Sequence, residues 1–275
     1  MTDISPIFEF LKNENPPKSV ELNGLIKRVD VIYHQAVFNH IEAISNQSWL
    51  AKELLTFKKK YIQAFNQIKA KRYYEAWCVF EQLEVSFSFI EQNSQSYDLG
   101  EMGVLNIIKI IEQWQSLYPY KLFSSPGFTV NHYTCSICNE RIKLRSKCGH
   151  IKGKLYNGKL CLHVVQDMAL LEISIVTNPV QKYSVLNPEK QDFRQLKYVA
   201  DRLKTPFVDW EISKTQKRFS RSQFINIKET DDCPCQSKKE FKNCCWNKEH
   251  LIIPHTLIDF KDELPTHLQN ELFTY

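Results

Sequence analysis

Apolar residues in the first 120 positions recur at three- and four-residue intervals, the spacing that lines up one face of an α-helix. From Val20 to Ala43 the stripe runs through Leu22, Leu25, Ile26, Val29, Ile32, Ala36, Val37 and Ile41, with charges on the opposite face. The same period predicts a second helix from about Gln47 to Lys69 (Leu50, Leu54, Tyr61, Phe65, Ile68). A third spans about Arg72 to Glu91 (Tyr73, Trp77, Phe80, Leu83, Phe87, Ile90). NSQSYDLG interrupts the pattern, and a very apolar fourth helix follows from about Glu101 to Tyr118. Four amphipathic helices with short connections predict a bundle over residues 1–120, with Cys78 buried in its core.

At Tyr118 the period changes. Pro119, Pro126 and Gly127 punctuate the chain, and short β-like runs take over, beginning with Phe128-Thr129-Val130. In KLYNGKLCLHVV, Asn157-Gly158 signals a two-residue hairpin turn, because both residues tolerate positive φ. Residues 170–176 alternate like a half-buried strand that ends at Asn178-Pro179. A helix is expected at 192–203, strands at 207–212, 224–227 and 251–260, and a short helix in LPTHLQNELF.

Composition narrows the chemistry. No run of about 18 apolar residues is available to span a membrane. The opening residues lack the basic end and apolar core of a secretory signal, so a cytoplasmic protein is expected. With seven glycines there is little material for phosphate-binding loops. The net charge of +5 permits a nucleic-acid partner without requiring one, and the basic excess gathers between Lys214 and Cys245. Eight of the nine cysteines lie between residues 135 and 245. In a chain without an export signal, such clustering points to metal ligands rather than disulfides.

The clusters have distinct spacings. Cys233 and Cys235, then Cys244 and Cys245 after eight intervening residues, can bring four thiolates to one tetrahedral Zn²⁺. Four protein ligands leave no open position for water, so such a site is structural. Upstream, Cys135-x-x-Cys138 is followed by Cys148-Gly149-His150, a second set of three thiolates and an imidazole. Cys161 follows the Asn157-Gly158 turn and could fold back as an extra ligand, replace His150, or pack behind the metal. His163 is read as a surface or core histidine. Two Zn²⁺ per chain are therefore expected. No zincin helix, phosphate loop, nucleophile elbow or deaminase pattern is present, and Asp30 with His34 is no more than a chance i, i+4 pair.

The stretch CPCQSKKEFKNCC resembles the SEC-C motif, whose usual pattern is CPCGSGKKYKKCC. Cys233, Pro234, Cys235, Ser237, Lys239, Lys242, Cys244 and Cys245 match; Gln236 and Lys238 stand where the motif has glycine, which predicts a somewhat different turn. The resemblance covers about twenty residues. It implies a zinc-binding docking module of the type at the tail of a bacterial preprotein translocation ATPase, where it contacts a chaperone and is linked to the ribosome. By that analogy Lys239, Phe241, Lys242 and Trp246 form a partner-binding patch. More weakly, LLEISIVTNP is similar to a strand of phage prohead proteases, although no serine with a base beside it occurs over 150–186.

These readings predict an α+β chain: a helical bundle over 1–120, a zinc-stabilised β-rich domain over 121–213, and a SEC-C zinc module with its tail over 214–275. The leading function is a non-catalytic zinc protein that docks a protein or ribosome-type partner. A nucleic-acid-binding zinc protein is the alternative, and a hydrolase between the helical and β regions is the third reading.

Overall fold

The computed structural model describes residues 3–13, 17–94, 97–143 and 148–260. The chain divides into two compact units, 1–207 and 208–275. Among the described residues, no helix is long and apolar enough to cross a membrane.

The first unit is built around one long helix. α1 (Ser5–Leu11), α2 (Ser19–Phe38), α3 (Glu42–Lys69), α4 (Tyr73–Asn93) and α5 (Val104–Ser116) come first in the chain. α3 buries Leu50, Leu54, Phe57, Tyr61, Phe65 and Ile68, a stripe at three- and four-residue spacing that faces its neighbours on several sides. α2 and α4 make its main packing partners, and α6 (Arg194–Arg202) lays Leu196, Val199 and Ala200 on it from later in the chain. α1 lies outside the periods recognised in the sequence; Pro6 favours its first turn, and Ile7, Phe8 and Leu11 are buried.

The helix ends explain where the expected boundaries shift. α2 stops at Phe38 rather than continuing to Ala43, because His40 takes φ 55°. The His40 and Ile41 amides then bond back to the Val37 and Ala36 carbonyls. α5 begins at Val104, later than its apolar pattern suggested, because the Asp98 carboxylate accepts from the Gly100 and Glu101 amides and makes a turn first. Cys78 is half-buried on α4 rather than enclosed in the core.

After α5, β1 (Phe123–Cys135) pairs antiparallel with β5 (His163–Val176) in a long ribbon. β2 (Arg141–Ile142) adds to the far end of β1, giving the order β2-β1-β5. The ribbon's base is fixed to the helices by aromatic packing. The Trp77 ring on α4 lies 5.1 Å from Tyr120 and 6.4 Å from Phe123. β3 (Leu155–Tyr156) and β4 (Lys159–Leu160) form the hairpin that Asn157-Gly158 signalled, with φ of 46° and 76° at its two turn residues.

The second unit is a single decorated hairpin. β6 (Trp210–Ser220) pairs with β7 (His250–Phe260) from Trp210↔Phe260 to Ser220↔His250, and the intervening residues 221–249 fold at its tip. Residues 224–227, expected as a strand, follow a 3-10 turn over Arg221–Phe224 that is started by a bond from the Ser222 amide to Ser220 Oγ. The Phe224 ring packs into the tip's core and has no strand to join. The short helix expected in LPTHLQNELF lies outside the described residues.

Candidate metal centres

The tip of the second unit carries the tighter cluster. The strand-like approach of Asp232 to Glu240 closes the loop, and the Cys233 amide donates to the Lys239 carbonyl at 2.8 Å. A 3-10 turn at Phe241–Asn243 then returns Cys244 and Cys245 to the first pair. The four sulfurs all lie within 4.8 Å of one another. Sγ–Sγ separations are 3.3 Å for Cys233–Cys235, 3.4 Å for Cys235–Cys244 and 3.7 Å for Cys244–Cys245. Zn–S bonds of about 2.3 Å place tetrahedral sulfurs about 3.8 Å apart, so the donor set and its size fit a Zn²⁺ ion.

Two residues of this loop show how the turn is made without glycine. Gln236 and Lys238 adopt φ of 61° and 59°. The turn therefore keeps the left-handed backbone that glycine would adopt freely, at a cost of about 1–2 kcal/mol per residue. Gln236 and Lys238 thus hold a left-handed backbone with side chains in place.

The thiols are electrostatically unequal. Burial pushes Cys235 up, but bonds from Ser237, Cys233 and Cys244 outweigh it and bring the thiol down to about 6. Burial, then bonding to Cys233, pushes Cys245 up to about 12. Burial thus makes the Cys245 proton the harder of the two to displace when a metal ion binds.

The first unit holds the second cluster at the far end of its ribbon. β1 delivers Cys135, and a tight turn with Asn139 at φ 61° presents Cys138 and starts β2. The Asn139 amide closes this turn on the Cys135 carbonyl at 2.8 Å. Gly149, at φ 87°, lets Cys148 and His150 turn toward the same point. The ligand atoms of Cys135, Cys138, Cys148 and His150 all lie within 4.8 Å of one another. His150 Nδ1 is buried without a hydrogen-bond partner, an orphaned donor-or-acceptor that a metal ion would satisfy. The ring is held edge-on to Tyr156 at 4.6 Å.

Burial pushes the Cys135 thiol up, but the Cys138 and Ile137 amides and the thiols of Cys148 and Cys138 together bring it down to about 6. Cys161 sits beside this quartet rather than in it. Its Sγ is 3.8 Å from that of Cys135, and burial followed by its bond to Cys135 pushes its thiol up to about 11.

What positions this cluster was not visible in the sequence. The β3–β4 hairpin plugs into the helices: the Gly158 amide donates to Asn46 Oδ1 at 2.7 Å, and Tyr33 Oη donates to the Gly158 carbonyl at 3.2 Å. A Cβ on Gly158 would lie 2.5 Å from the Tyr33 ring. The Asn93 amide donates to the Gly153 carbonyl at 2.7 Å, and Lys154 Nζ donates to the Gln92 carbonyl at 2.7 Å. Tyr33, Asn46, Gln92 and Asn93 looked like ordinary helix residues, because their role exists only once the hairpin docks.

The expected partner patch divides. Phe241 is fully buried, packed among Cys233, Cys245, Leu251 and Ile253, so it belongs to the tip's core and is withdrawn from the patch. Its ring packs edge-to-face with Trp246 at 5.2 Å. Lys239 and Lys242 are exposed and Trp246 is half-exposed, with the Arg221 guanidinium 4.1 Å over its ring.

Residues 230–247 match the family of the SEC-C motif, the stretch that contains the second-unit quartet. No curated protein and no solved structure matches the chain.

Proposed function

We propose that this is a non-catalytic, two-zinc protein of a reducing, cytoplasmic compartment, and that its SEC-C tip docks a protein or ribosome-type partner. The observation that carries the zinc reading is the pair of four-donor clusters, each with all its ligand atoms within 4.8 Å. Residues Cys233, Cys235, Cys244 and Cys245 would hold one ion, and Cys135, Cys138, Cys148 and His150 the other. Each ion would supply cross-linking of loop segments and no reactive coordination position, which argues against the hydrolase reading. Docking is supported by the exposed rim around the tip: Lys239, Lys242 and the Arg221–Trp246 stack present positive charge and a flat aromatic surface together. The test is cosedimentation with purified ribosomes and pull-down from lysate, using zinc-loaded protein with Arg221, Lys239 and Lys242 changed to Glu. Loss of partner with zinc content intact supports docking; unchanged recovery overturns it.

The nucleic-acid reading draws on a separate observation. Lys214, Lys217 and Arg218 are exposed along β6. It requires retention on single-stranded or duplex nucleic acid that falls steeply as salt rises.

A further inference from the structure

A cavity of about 290 Å³ lies where the β3–β4 hairpin meets the helices. Asn46 and Gln47 reach it from the second turn of α3, Gln92 and Asn93 from the end of α4, and Lys154 and Leu155 from the hairpin. The hairpin is fastened on both sides of this space, by Asn46 at its turn and by Asn93 and the Gln92 carbonyl at its entry. Gln92 is itself packed against the hairpin: a Cβ on Gly153 would lie 2.1 Å from its Oε1. The walls are therefore held in place by the same bonds that dock the hairpin.

The lining is rich in unspent hydrogen-bonding groups and carries one charge. Asn46 uses its Oδ1 on the Gly158 amide, and Asn93 uses its Nδ2 on the Phe89 and Gly153 carbonyls. An amide donor remains on Asn46 and a carbonyl acceptor on Asn93. The carboxamides of Gln47 and Gln92 and the hydroxyl of Tyr97 have no protein partner among the described residues. Lys154 Nζ gives one proton to the Gln92 carbonyl, and no carboxylate among the described residues lines the cavity to balance its charge. Leu50 and Leu155 supply apolar wall. The Tyr97 ring is stacked on Phe8 at 3.9 Å with 13° between the planes.

We infer that this cavity binds a purine nucleoside monophosphate. A carboxamide sets a donor beside an acceptor, the pattern that pairs bidentately with the edge of adenine. Tyr97 offers a ring on which the base stacks, extending the pair it forms with Phe8. The uncompensated Lys154 ammonium meets the phosphate. The cavity stands at the small end of ligand sites, which span about 300–1,000 Å³, and so suits one nucleotide rather than a dinucleotide. Such a ligand touches α3, α4 and the hairpin entry together, so it stabilises the docked hairpin by mass action.

The experiment titrates the zinc-loaded full chain calorimetrically with adenosine monophosphate, adenosine and ribose phosphate. Saturable binding of adenosine monophosphate is expected, with adenosine and ribose phosphate each at least tenfold weaker. Lys154→Met should bring the monophosphate down to the affinity of adenosine and leave adenosine itself unchanged, a split that loosening of the hairpin alone would not produce. Gln47→Ala, which removes no protein hydrogen bond among the described residues, should weaken adenosine and its monophosphate alike, at least fivefold, with zinc content and circular dichroism unchanged. Absence of saturable monophosphate binding, ribose phosphate binding as tightly as the nucleotide, or an unchanged monophosphate affinity in either variant would overturn the inference.

Discussion

The two four-donor clusters, one of three cysteines and a histidine and one of four cysteines, are assembled in opposite ways. The second-unit quartet lies within thirteen consecutive residues, Cys233 to Cys245, and closes through its own backbone bonds. The first-unit quartet draws on the end of a long β ribbon and a separate Cys-Gly-His turn. The neighbouring hairpin is tied to Tyr33, Asn46 and Asn93 on three helices. A local site needs only its loop and its ion. A site built from distant segments needs the surrounding fold as well, so its geometry and the stability of the helices should be linked.

The largest expected effect comes from removing a ligand. Structural zinc contributes on the order of 10 kcal/mol to folding. Cys245→Ser should lose one zinc per chain and unfold the β6–β7 tip while leaving the first unit protected in hydrogen exchange. Cys135→Ser should lose the other zinc and loosen both the ribbon end and the helix sites that hold the hairpin. If Cys135→Ser leaves Asn46 and Asn93 as protected as before, the linkage is wrong. Both zincs should be lost as pH falls, because protons compete for the thiolates, and chelator titrations across pH read this directly.

Gly158→Ala comes next. It places a methyl group against the Tyr33 ring and leaves a non-glycine residue at φ 76°. A cost of about 2 kcal/mol is expected in the first unit's denaturant midpoint, with no change in metal binding at the tip. Equal damage to both units would erase the contrast.

A smaller effect belongs to Lys58, which reports on the helical core alone. Burial pushes its ammonium down to about 8 from the ordinary 10.5, while its Nζ donates to the Leu11 carbonyl at 2.9 Å. Between pH 8 and 10.5 the unfolded chain holds this proton and the folded chain does not, so Lys58 makes stability rise with pH across that window. Lys58→Met should flatten the rise measured by thermal melts at pH 8 to 10; an unchanged slope would place the charge elsewhere.

The smallest effect tests the turn of the tip. Gln236→Gly and Lys238→Gly each relieve left-handed strain but add chain entropy to the unfolded state, for a net gain of about 0.5 kcal/mol. A loss of zinc affinity in either variant would contradict the positive φ assigned there.

This contrast also explains what could be seen in advance. The helices of the first unit were legible because α3 repeats Leu50, Leu54, Tyr61, Phe65 and Ile68 at helical spacing. The tip quartet was legible because ligand spacing within a short loop nearly determines the site. The Asn157-Gly158 turn was visible for the same local reason. Its docking was not, since nothing in Tyr33 or Asn46 marks a residue that waits for a hairpin more than a hundred positions away. Phe241 misled for a related reason: an aromatic beside lysines looks like a contact residue until the fold turns it into the core. The sequence left His150 and Cys161 as alternatives; the structure gathers His150 with three thiolates and leaves its Nδ1 without a partner, and it sets Cys161 Sγ 3.8 Å from that of Cys135.

The central claim is that both quartets are closed zinc sites, and X-ray absorption of the purified chain with metal analysis addresses it most directly. The account predicts two zincs per chain, one with four sulfurs at about 2.3 Å and one with three sulfurs and an imidazole nitrogen at about 2.0 Å. A single zinc, or a coordination shell completed by water oxygen, would contradict it.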